Sequence, residues 1–301
     1  MGGGWLGGGW QGGGWQGGGW QGGGWQGGGW AGGGGEGLYA MRADRPLVAE
    51  DLTPDFNSAP KFPTRAWDGD LFSLHFLPEF LTAKVAGKTW NQAITVNPTI
   101  PNVIMPGSVV SPGDDSIDDL RILAVTERPE AMGEILNQHQ NQQLCFMQLL
   151  MMTAGSHPAT FFAMKLAARV GEVVMIRLKR QFNRPRPTQY YPALNPPVPV
   201  PGHAAYPAGH SVIAHLTARV LIEITTPMAG PSPYEKSLNK LADQIGLNRV
   251  IAGFHFRSDN TAGAAAGVLT HQFLTGIAPR NVTAPDFDYA SVVTAAKAEW
   301  K

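Results

Sequence analysis

Apolar residues recur at spacings of three and four from Ser116 onwards, the pattern of helices that bury one face. The segments IDDLRILAV and AMGEILNQHQNQQLCFMQLLMM follow it, and a longer stretch runs from Pro158 to Phe182. After the proline-rich loop RPRPTQYYPALNPPVPVPGH, further helices are predicted over 210–224, 237–256 and 258–274. The pattern therefore predicts an all-α helical bundle with one long ordered loop.

The chain before Ser116 is patterned differently. Residues 37–66 are polar and interrupted by four prolines, which predicts an extended arm packed over a domain. The segment FSLHFLPEFLTAKVAG predicts a helix interrupted near Pro78. Between Trp90 and Pro112, β-branched residues and prolines favour irregular extended chain over helix.

The first 35 residues repeat with a period of five, placing tryptophans in nearly pure glycine. Glycine opposes a fixed backbone and the segment lacks aliphatic residues for a core, so it is predicted to be disordered. Two interpretations stay open. The indoles form an adhesive tail, or the repeat is a tolerated low-complexity extension.

Charge and hydropathy narrow the function classes. Lys+Arg and Asp+Glu both number 23, which excludes a nucleic-acid-binding surface based on bulk charge. No apolar run approaches the ~20 residues of a membrane span, and the amino terminus lacks the features of a secretory signal. A soluble protein, cytoplasmic or otherwise, is expected. The single Cys145 lies in an apolar stretch and is read as a core residue.

Three clusters carry residues suited to chemistry. In chain order they are Lys179-x6-Arg186-Pro187, then Pro207-Ala208-Gly209-His210, then Arg249-x5-His255-x3-Asp259. Together they supply three cations, a glycine amide at a helix start, and two histidines with one carboxylate. Such a set suits a tetrahedral oxyanion. Taken singly, each cluster is better explained by solvated charges at a helix end, a helix cap or a surface ion pair.

In this order the clusters resemble the signature K-x6-RP, PSGH, SR-x5-H-x3-D of the type 2 phosphatidic acid phosphatase (PAP2) and vanadium-dependent haloperoxidase superfamily. The resemblance implies a helical bundle of the acid phosphatase/vanadium haloperoxidase type that clasps phosphate or vanadate. The predicted parts are the disordered repeat, an irregular and helical part packed on the core, the helical oxyanion-binding catalytic domain and a carboxy-terminal extension. Their bounds are 1–36, 37–115, 116–276 and 277–301.

The resemblance also implies which residues bind the oxyanion. Lys179, Arg186 and Arg249 would hold its oxygens, and the Gly209 amide would donate a further hydrogen bond. No nucleic acid partner and no membrane span are expected. Because related haloperoxidases assemble, a homo-oligomer is expected.

Catalytic roles follow from the same resemblance. His255 would be the axial vanadium ligand of a haloperoxidase, or the nucleophile of a phosphatase. His210 would be the acid/base, and Asp259 would hold and polarise His255.

Some positions depart from the signature. Ala208 replaces the motif serine and so lacks a hydroxyl that would bind the oxyanion, whereas Asn248 replaces a serine before Arg249 with a residue that caps and hydrogen-bonds similarly. Arg184 precedes a second proline but lies two residues too close to Lys179, so it is read as a pocket-rim or structural residue.

Four acidic residues lie near the predicted helix start at Ser116. They suggest either a divalent-cation site or the acidic first turn that a helix dipole favours, and the helix start is the preferred interpretation. The residues are Asp114, Asp115, Asp118 and Asp119.

Three features favour the soluble bacterial haloperoxidase-like branch. His203 lies seven residues before His210, where bromoperoxidases carry a histidine, and Arg257 follows His255 by two residues. The chain also lacks the spans of the lipid phosphatases and the export signal of the acid phosphatases. The leading hypothesis is a vanadate-dependent haloperoxidase that oxidises bromide or iodide with hydrogen peroxide, with His203 in the catalytic set.

Two other hypotheses use the same residues. A soluble phosphatase would hydrolyse phosphomonoesters through a phosphohistidine intermediate and need no cofactor. A non-catalytic oxyanion-binding or assembly protein would explain Ala208 by lost catalysis and the Gly/Trp repeat by association.

Overall fold

The computed structural model describes residues 68–96, 98–109, 111, 113–278 and 288–300. The Gly/Trp repeat and the arm over 37–66 lie outside these described residues. Within them the chain forms ten α-helices and two pairs of two-residue strands. The predicted all-α class is confirmed. Among the described helices, none has both the length and the apolar character to cross a membrane.

The ten helices of the described residues are joined by connections of different lengths, and the longer ones include 94–116 and 191–208. The helices are α1 (Gly69–Thr82), α2 (Trp90–Ala93), α3 (Ile117–Thr126), α4 (Arg128–Leu149), α5 (Pro158–Phe182), α6 (Pro187–Tyr190), α7 (Gly209–Thr225), α8 (Glu235–Ile251), α9 (Arg257–Thr275) and α10 (Tyr289–Lys297). Strand β1 (Lys84–Val85) pairs antiparallel with β2 (Lys88–Thr89), and β3 (Val103–Ile104) pairs parallel with β4 (Asp115–Ser116). Single turns of 3₁₀ helix span Pro192–Leu194 and Ala298–Trp300.

Helix α7 is the centre of the bundle, and α9 crosses it at backbone contact. A Cβ at Gly263 would lie 2.6 Å from the Ala208 carbonyl oxygen, and one at Gly267 would lie 2.6 Å from that of Val212. Only glycine fits such an approach. The crossing lets the Ala208 amide donate to the Asp259 carbonyl at 2.8 Å, which joins the start of α7 to the start of α9.

Helix α1 continues through Pro78, contrary to the predicted interruption. Its apolar face buries Phe72, Phe76 and Phe80 completely, so packing holds both halves in line. Proline removes the hydrogen bond to the carbonyl of Leu74, but Leu74 is 57% exposed. Water can therefore reach this part of the helix surface.

The helix predicted over 237–256 ends five residues earlier, at Ile251. Gly253 adopts a φ of +84°, a left-handed conformation that ends the helix and turns the chain towards α9. His255 lies in this turn. Arg249 and His255, which would both lie in the predicted helix over 237–256, are therefore separated, with Arg249 at the end of α8 and His255 in the turn before α9.

Candidate active site

A cavity of about 120 Å³ lies where the start of α7, the turn before α9 and the loop after α5 meet, with α4 and α5 as its other walls. Six of the eight predicted site residues line it. They are Arg186, His203, Gly209, His210, Arg249 and His255. Lys179 and Asp259 lie behind the lining. Asp259 contacts His255 directly, and Lys179 contacts the loop that carries His203.

His255 is held at both ring nitrogens. Its Nδ1 lies 3.3 Å from Asp259 Oδ2, and its Nε2 lies 3.2 Å from Arg186 Nη1. Because a guanidinium only donates, Nε2 is the acceptor and Nδ1 carries the proton that is directed to Asp259. Burial, followed by the charges of Arg186 and Lys179, holds the pKa of His255 well below its usual range. The ring is therefore neutral near pH 7, with its basic nitrogen on the cationic side.

Arg186 bonds only to uncharged acceptors. Its Nε donates to the His203 carbonyl at 2.9 Å, Nη1 to the Phe254 carbonyl at 3.1 Å, and Nη2 to His203 Nδ1 at 2.9 Å. Burial lowers the pKa of Arg186 to about 10. The pKa of His203 falls to about 4 through burial and the charges of Lys179 and Arg186. This part of the cavity thus carries a buried positive charge beside a neutral imidazole.

Arg249 is buried with too few hydrogen-bond acceptors for its guanidinium group. It is 1% exposed, and only its Nη2 has an acceptor, the Ile135 carbonyl at 2.9 Å. Its Nε and Nη1 have no acceptor among the described residues. Burial lowers the pKa of this guanidinium to about 10. Two buried donors of one cation are a specific indication of an anion site.

Lys179 holds the loop that carries His203. Its Nζ donates to the carbonyls of Ala204 and Ala205, both at 2.8 Å, and so fastens the loop that carries His203. Burial and the nearby Arg186 hold the pKa of Lys179 well below its usual range. The ammonium contributes its charge to the site from behind the lining.

Gly209 opens α7 at the cavity wall. A Cβ there would lie 3.2 Å from Met175 Sδ, so a side chain would crowd Met175, and 3.7 Å from Lys179 Cε, an ordinary contact distance. The first amides of α7 add the partial positive charge of a helix start to the site. His210 follows in the first turn, and burial together with Arg249 holds its pKa well below the usual range.

His139 completes a stack of three rings that sequence reasoning missed. Its ring lies 6.4 Å from that of His210 at 13°, and 6.4 Å from that of Phe254 at 19°. It lines the cavity from α4. The sequence pattern around His139 predicts a helix but not a place at the site, because α4 reaches the site only through the packing of the bundle.

Arg184 supports the site by binding two carboxylates. Its Nη1 donates to Asp259 Oδ1 at 2.7 Å and to Ser258 Oγ at 2.7 Å, and its Nη2 donates to Asp115 Oδ2 at 2.8 Å. All of these side chains except that of Ser258 are almost fully buried. This agrees with the structural reading of Arg184. Asp115, in contrast, is a buried ion-pair partner rather than part of an acidic first helical turn.

The other acidic residues near α3 have partners of their own. Asp118 binds Arg121 at 2.7 Å and the amide of Gly107, and Asp119 binds Arg257 at 2.7 and 3.0 Å. Their carboxylates serve the helix start and surface ion pairs, and no cluster suited to a metal cation occurs in the described part of the chain. The Arg257 side chain is 53% exposed and points away from the cavity lining, so it does not distinguish the two chemistries.

The two departures from the signature have different settings. Ala208 is fully buried at the N-cap of α7, where no side chain caps the helix. Asn248 does not cap a helix, because it lies inside α8. Its Nδ2 donates to Glu134 Oε2 at 2.8 Å and Gln138 Oε1 at 2.9 Å, which fastens α8 to α4 beside Arg249.

Comparison with known proteins identifies the family of this region. Residues 159–282 match the model of the PAP2 superfamily. No curated protein matches the chain. One similar solved structure is described as the first transmembrane PAP2 type phosphatidylglycerolphosphate phosphatase from Bacillus subtilis, with 19% identity and a TM-score of 0.40 over 53% of this chain and 82% of that one. That likeness is too distant to bear on the site. The residues that match the PAP2 superfamily contain all eight predicted site residues.

Proposed function

We propose that this chain is a phosphatase that hydrolyses phosphomonoesters through a phosphohistidine at His255. The observation that carries the proposal is the setting of His255, a neutral ring between the Asp259 carboxylate and the Arg186 guanidinium. PAP2 membership supports hydrolysis over the halide oxidation that the sequence first suggested.

The buried cations would bind the phosphoryl group. Arg249 brings Nε and Nη1, which have no acceptor among the described side chains and backbone, and Arg186 brings a second guanidinium at the same cavity. The amide of Gly209 adds a backbone donor, and Lys179 adds charge at short range. Arginine pairs suit phosphate because their planar forks match two oxygens at once.

Phosphoryl transfer then requires one bond to form and one to break. His255 Nε2 attacks phosphorus, the bond from phosphorus to the ester oxygen breaks, and its electron pair passes to that oxygen. His210 donates a proton to the departing alkoxide, giving a neutral alcohol. In the second half, water attacks phosphorus, His210 takes its proton, and the bond to Nε2 breaks to release inorganic phosphate.

The charge of Asp259 prepares His255 for these steps, and the charge of the bound phosphate prepares His210. The carboxylate of Asp259 stabilises the imidazolium that develops on His255 and fixes the tautomer that leaves Nε2 basic. In the protein alone, burial and nearby cations depress the pKa of His210. A bound phosphate dianion opposes those cations, so it raises the pKa of His210 towards the range of a general acid.

The second candidate function is that of a vanadate-dependent haloperoxidase. It is favoured by His203, which lines the cavity 2.9 Å from Arg186 Nη2. Vanadate has the shape of phosphate, so Arg186, Arg249 and Gly209 would hold its oxygens and His255 Nε2 would bind it. The bound group would supply activation of hydrogen peroxide towards bromide.

A paired assay on one purified preparation separates these functions. We expect hydrolysis of p-nitrophenyl phosphate that orthovanadate inhibits, and a loss of at least about 100-fold in His255→Gln. Vanadate-dependent oxidation of bromide by peroxide, lost in His255→Gln and altered in His203→Phe, would overturn the phosphatase. Absence of both activities from the parent protein would instead support an oxyanion-binding role.

A further inference from the structure

The cavity has a second wall that the proposed reaction does not use. It comes from α4, and we call Asn141, Gln142 and Gln143 the amide wall. Glu172 of α5 also lines the cavity. The polar groups of these four residues are amides and a carboxylate, in contrast to the guanidinium groups of Arg186 and Arg249.

A break in α4 brings the amide wall together. Asn141 has φ −159° and ψ 86°, which is extended rather than helical. In an unbroken helix, consecutive side chains point about 100° apart, so three in a row would not line one cavity. The break allows all three to do so.

Two carbonyl oxygens of the amide wall lack a donor among the residues the structure describes. These are Gln142 Oε1 and Gln143 Oε1, and Gln142 is only 9% exposed. Gln143 Nε2 donates to Thr217 Oγ1 at 3.2 Å, which fixes the orientation of its amide. A buried acceptor without a donor costs free energy, so the wall suits a ligand that brings hydrogen-bond donors.

The charge around Glu172 favours hydroxyl donors over an ammonium. Glu172 Oε2 accepts from Arg169 Nη1 at 2.8 Å, and Arg169 Nε donates to Asp70 Oδ1 at 3.0 Å. Lys165 Nζ lies 3.3 Å from the same Asp70 carboxylate. Two acidic and two basic residues leave no net charge to attract a cation.

Apolar side chains also line the cavity. Ala168, Met175 and Ile213 line it together with the amide wall. A ligand that fits both surfaces carries hydroxyl groups on one edge and C–H groups on the other. Short polyols have this character, whereas an acyl chain would leave the amide oxygens without donors.

We infer that the amide wall binds the leaving alcohol of the substrate and selects phosphomonoesters of short polyols. The inference rests on the proposed phosphatase function. Hydroxyl groups of the alcohol donate to Gln142 Oε1 and Gln143 Oε1 while the phosphoryl group lies among the cations. The amide wall thus sets specificity, and His255 performs the transfer.

Two esters with the same carbon skeleton test the inference. Glycerol 3-phosphate carries two hydroxyls that propyl phosphate lacks, and we expect its kcat/KM to be about tenfold higher. In Gln142→Met the ratio should fall towards one, because the variant lacks an acceptor for the hydroxyl groups. Gln148→Met, an exposed position on the same helix, is the matched control and should keep the parent ratio.

Calorimetry separates failure of the amide wall from failure of the phosphatase. His255→Gln should bind glycerol 3-phosphate about tenfold more tightly than propyl phosphate, without turnover, and Gln142→Met in that background should bind both alike. Hydrolysis of both esters at equal rates with equal affinities would overturn the amide wall and leave the phosphatase standing. Absence of hydrolysis of any ester would overturn the phosphatase, and the calorimetric ratio would still decide what the amide wall binds.

Discussion

Arg184 Nη1 donates to Asp259 Oδ1 at 2.7 Å, and through this bond the residue that orients His255 is itself held in place. The second arm of the same guanidinium binds Asp115, 69 residues away in the chain. Both carboxylates are buried, and this guanidinium forms an ion pair with each of them. The two arginines of the RPRP sequence at 184–187 therefore have different roles. Arg184 supports the site, and Arg186 lines it.

Replacing Arg184 should damage the fold. Arg184→Gln leaves Asp115 and Asp259 as buried carboxylates without a cation, and we expect a loss of about 3–5 kcal/mol in the free energy of unfolding. Urea denaturation measures it. Arg121→Gln, which removes a surface pair with Asp118, should cost less than about 1 kcal/mol. Equal losses in the two variants would refute the supporting role of Arg184.

Arg249 should behave in the opposite way. Because its Nε and Nη1 have no acceptor within the described residues, Arg249→Gln should cost little stability but weaken phosphate binding. Phosphate at 100 times its Kd should stabilise the parent by about 2.7 kcal/mol, and this gain should vanish in the variant. Thermal unfolding with and without phosphate measures it. The exposed Arg180→Gln on α5 serves as the control, and a full phosphate response in Arg249→Gln would remove Arg249 from the site.

The buried histidines predict a loss of stability in acid. His210 and His255 have folded-state pKa values well below 6.5, whereas the unfolded chain takes up their protons near that pH. The unfolded state then binds more protons, so the free energy of unfolding falls below about pH 6.5, by up to about 1.4 kcal/mol per pH unit for each group. Denaturation at several pH values should give a shallower decline for His255→Gln. An unchanged slope would show that His255 is not buried as a neutral ring.

Restoring the motif serine should tighten oxyanion binding. Ala208 lies beside Gly209 at the N-cap of α7, where a serine hydroxyl would donate to a bound oxyanion. A hydrogen bond to a charged group contributes about 1.5–3 kcal/mol, so we expect Ala208→Ser to lower the Kd for phosphate at least tenfold. Calorimetric titration of the parent and the variant with phosphate measures this Kd. Unchanged affinity would mean that the hydroxyl at this position does not reach the anion.

Much of the cavity could be predicted because its parts follow local rules. Lys179 near a helix end, Gly209 at a helix start and Asp259 in a first helical turn are positions that sequence patterns indicate. The order of the clusters then indicated that they meet. The direct contact of Lys179 with the oxyanion stays a prediction, since the loop carbonyls of Ala204 and Ala205 accept only two of its three N–H groups.

The remaining features depend on packing between distant segments. The Arg184 to Asp115 pair, the ring stack of His139 and the break at Asn141 arise where α3, α4 and the loop after α5 come together in the bundle. No local spacing encodes these contacts. The continuity of α1 through Pro78 has the same origin, since its phenylalanines pack more strongly than one lost hydrogen bond costs.

The most direct test of the central claim is to trap the phosphorylated enzyme. The protein is mixed with an excess of p-nitrophenyl phosphate, quenched in base to preserve a phosphohistidine, digested and mapped by mass spectrometry. We expect the phosphoryl group on the peptide that contains His255, with none in His255→Gln. A phosphoryl group on another residue, or turnover of the ester without any phosphorylated peptide, would contradict the account.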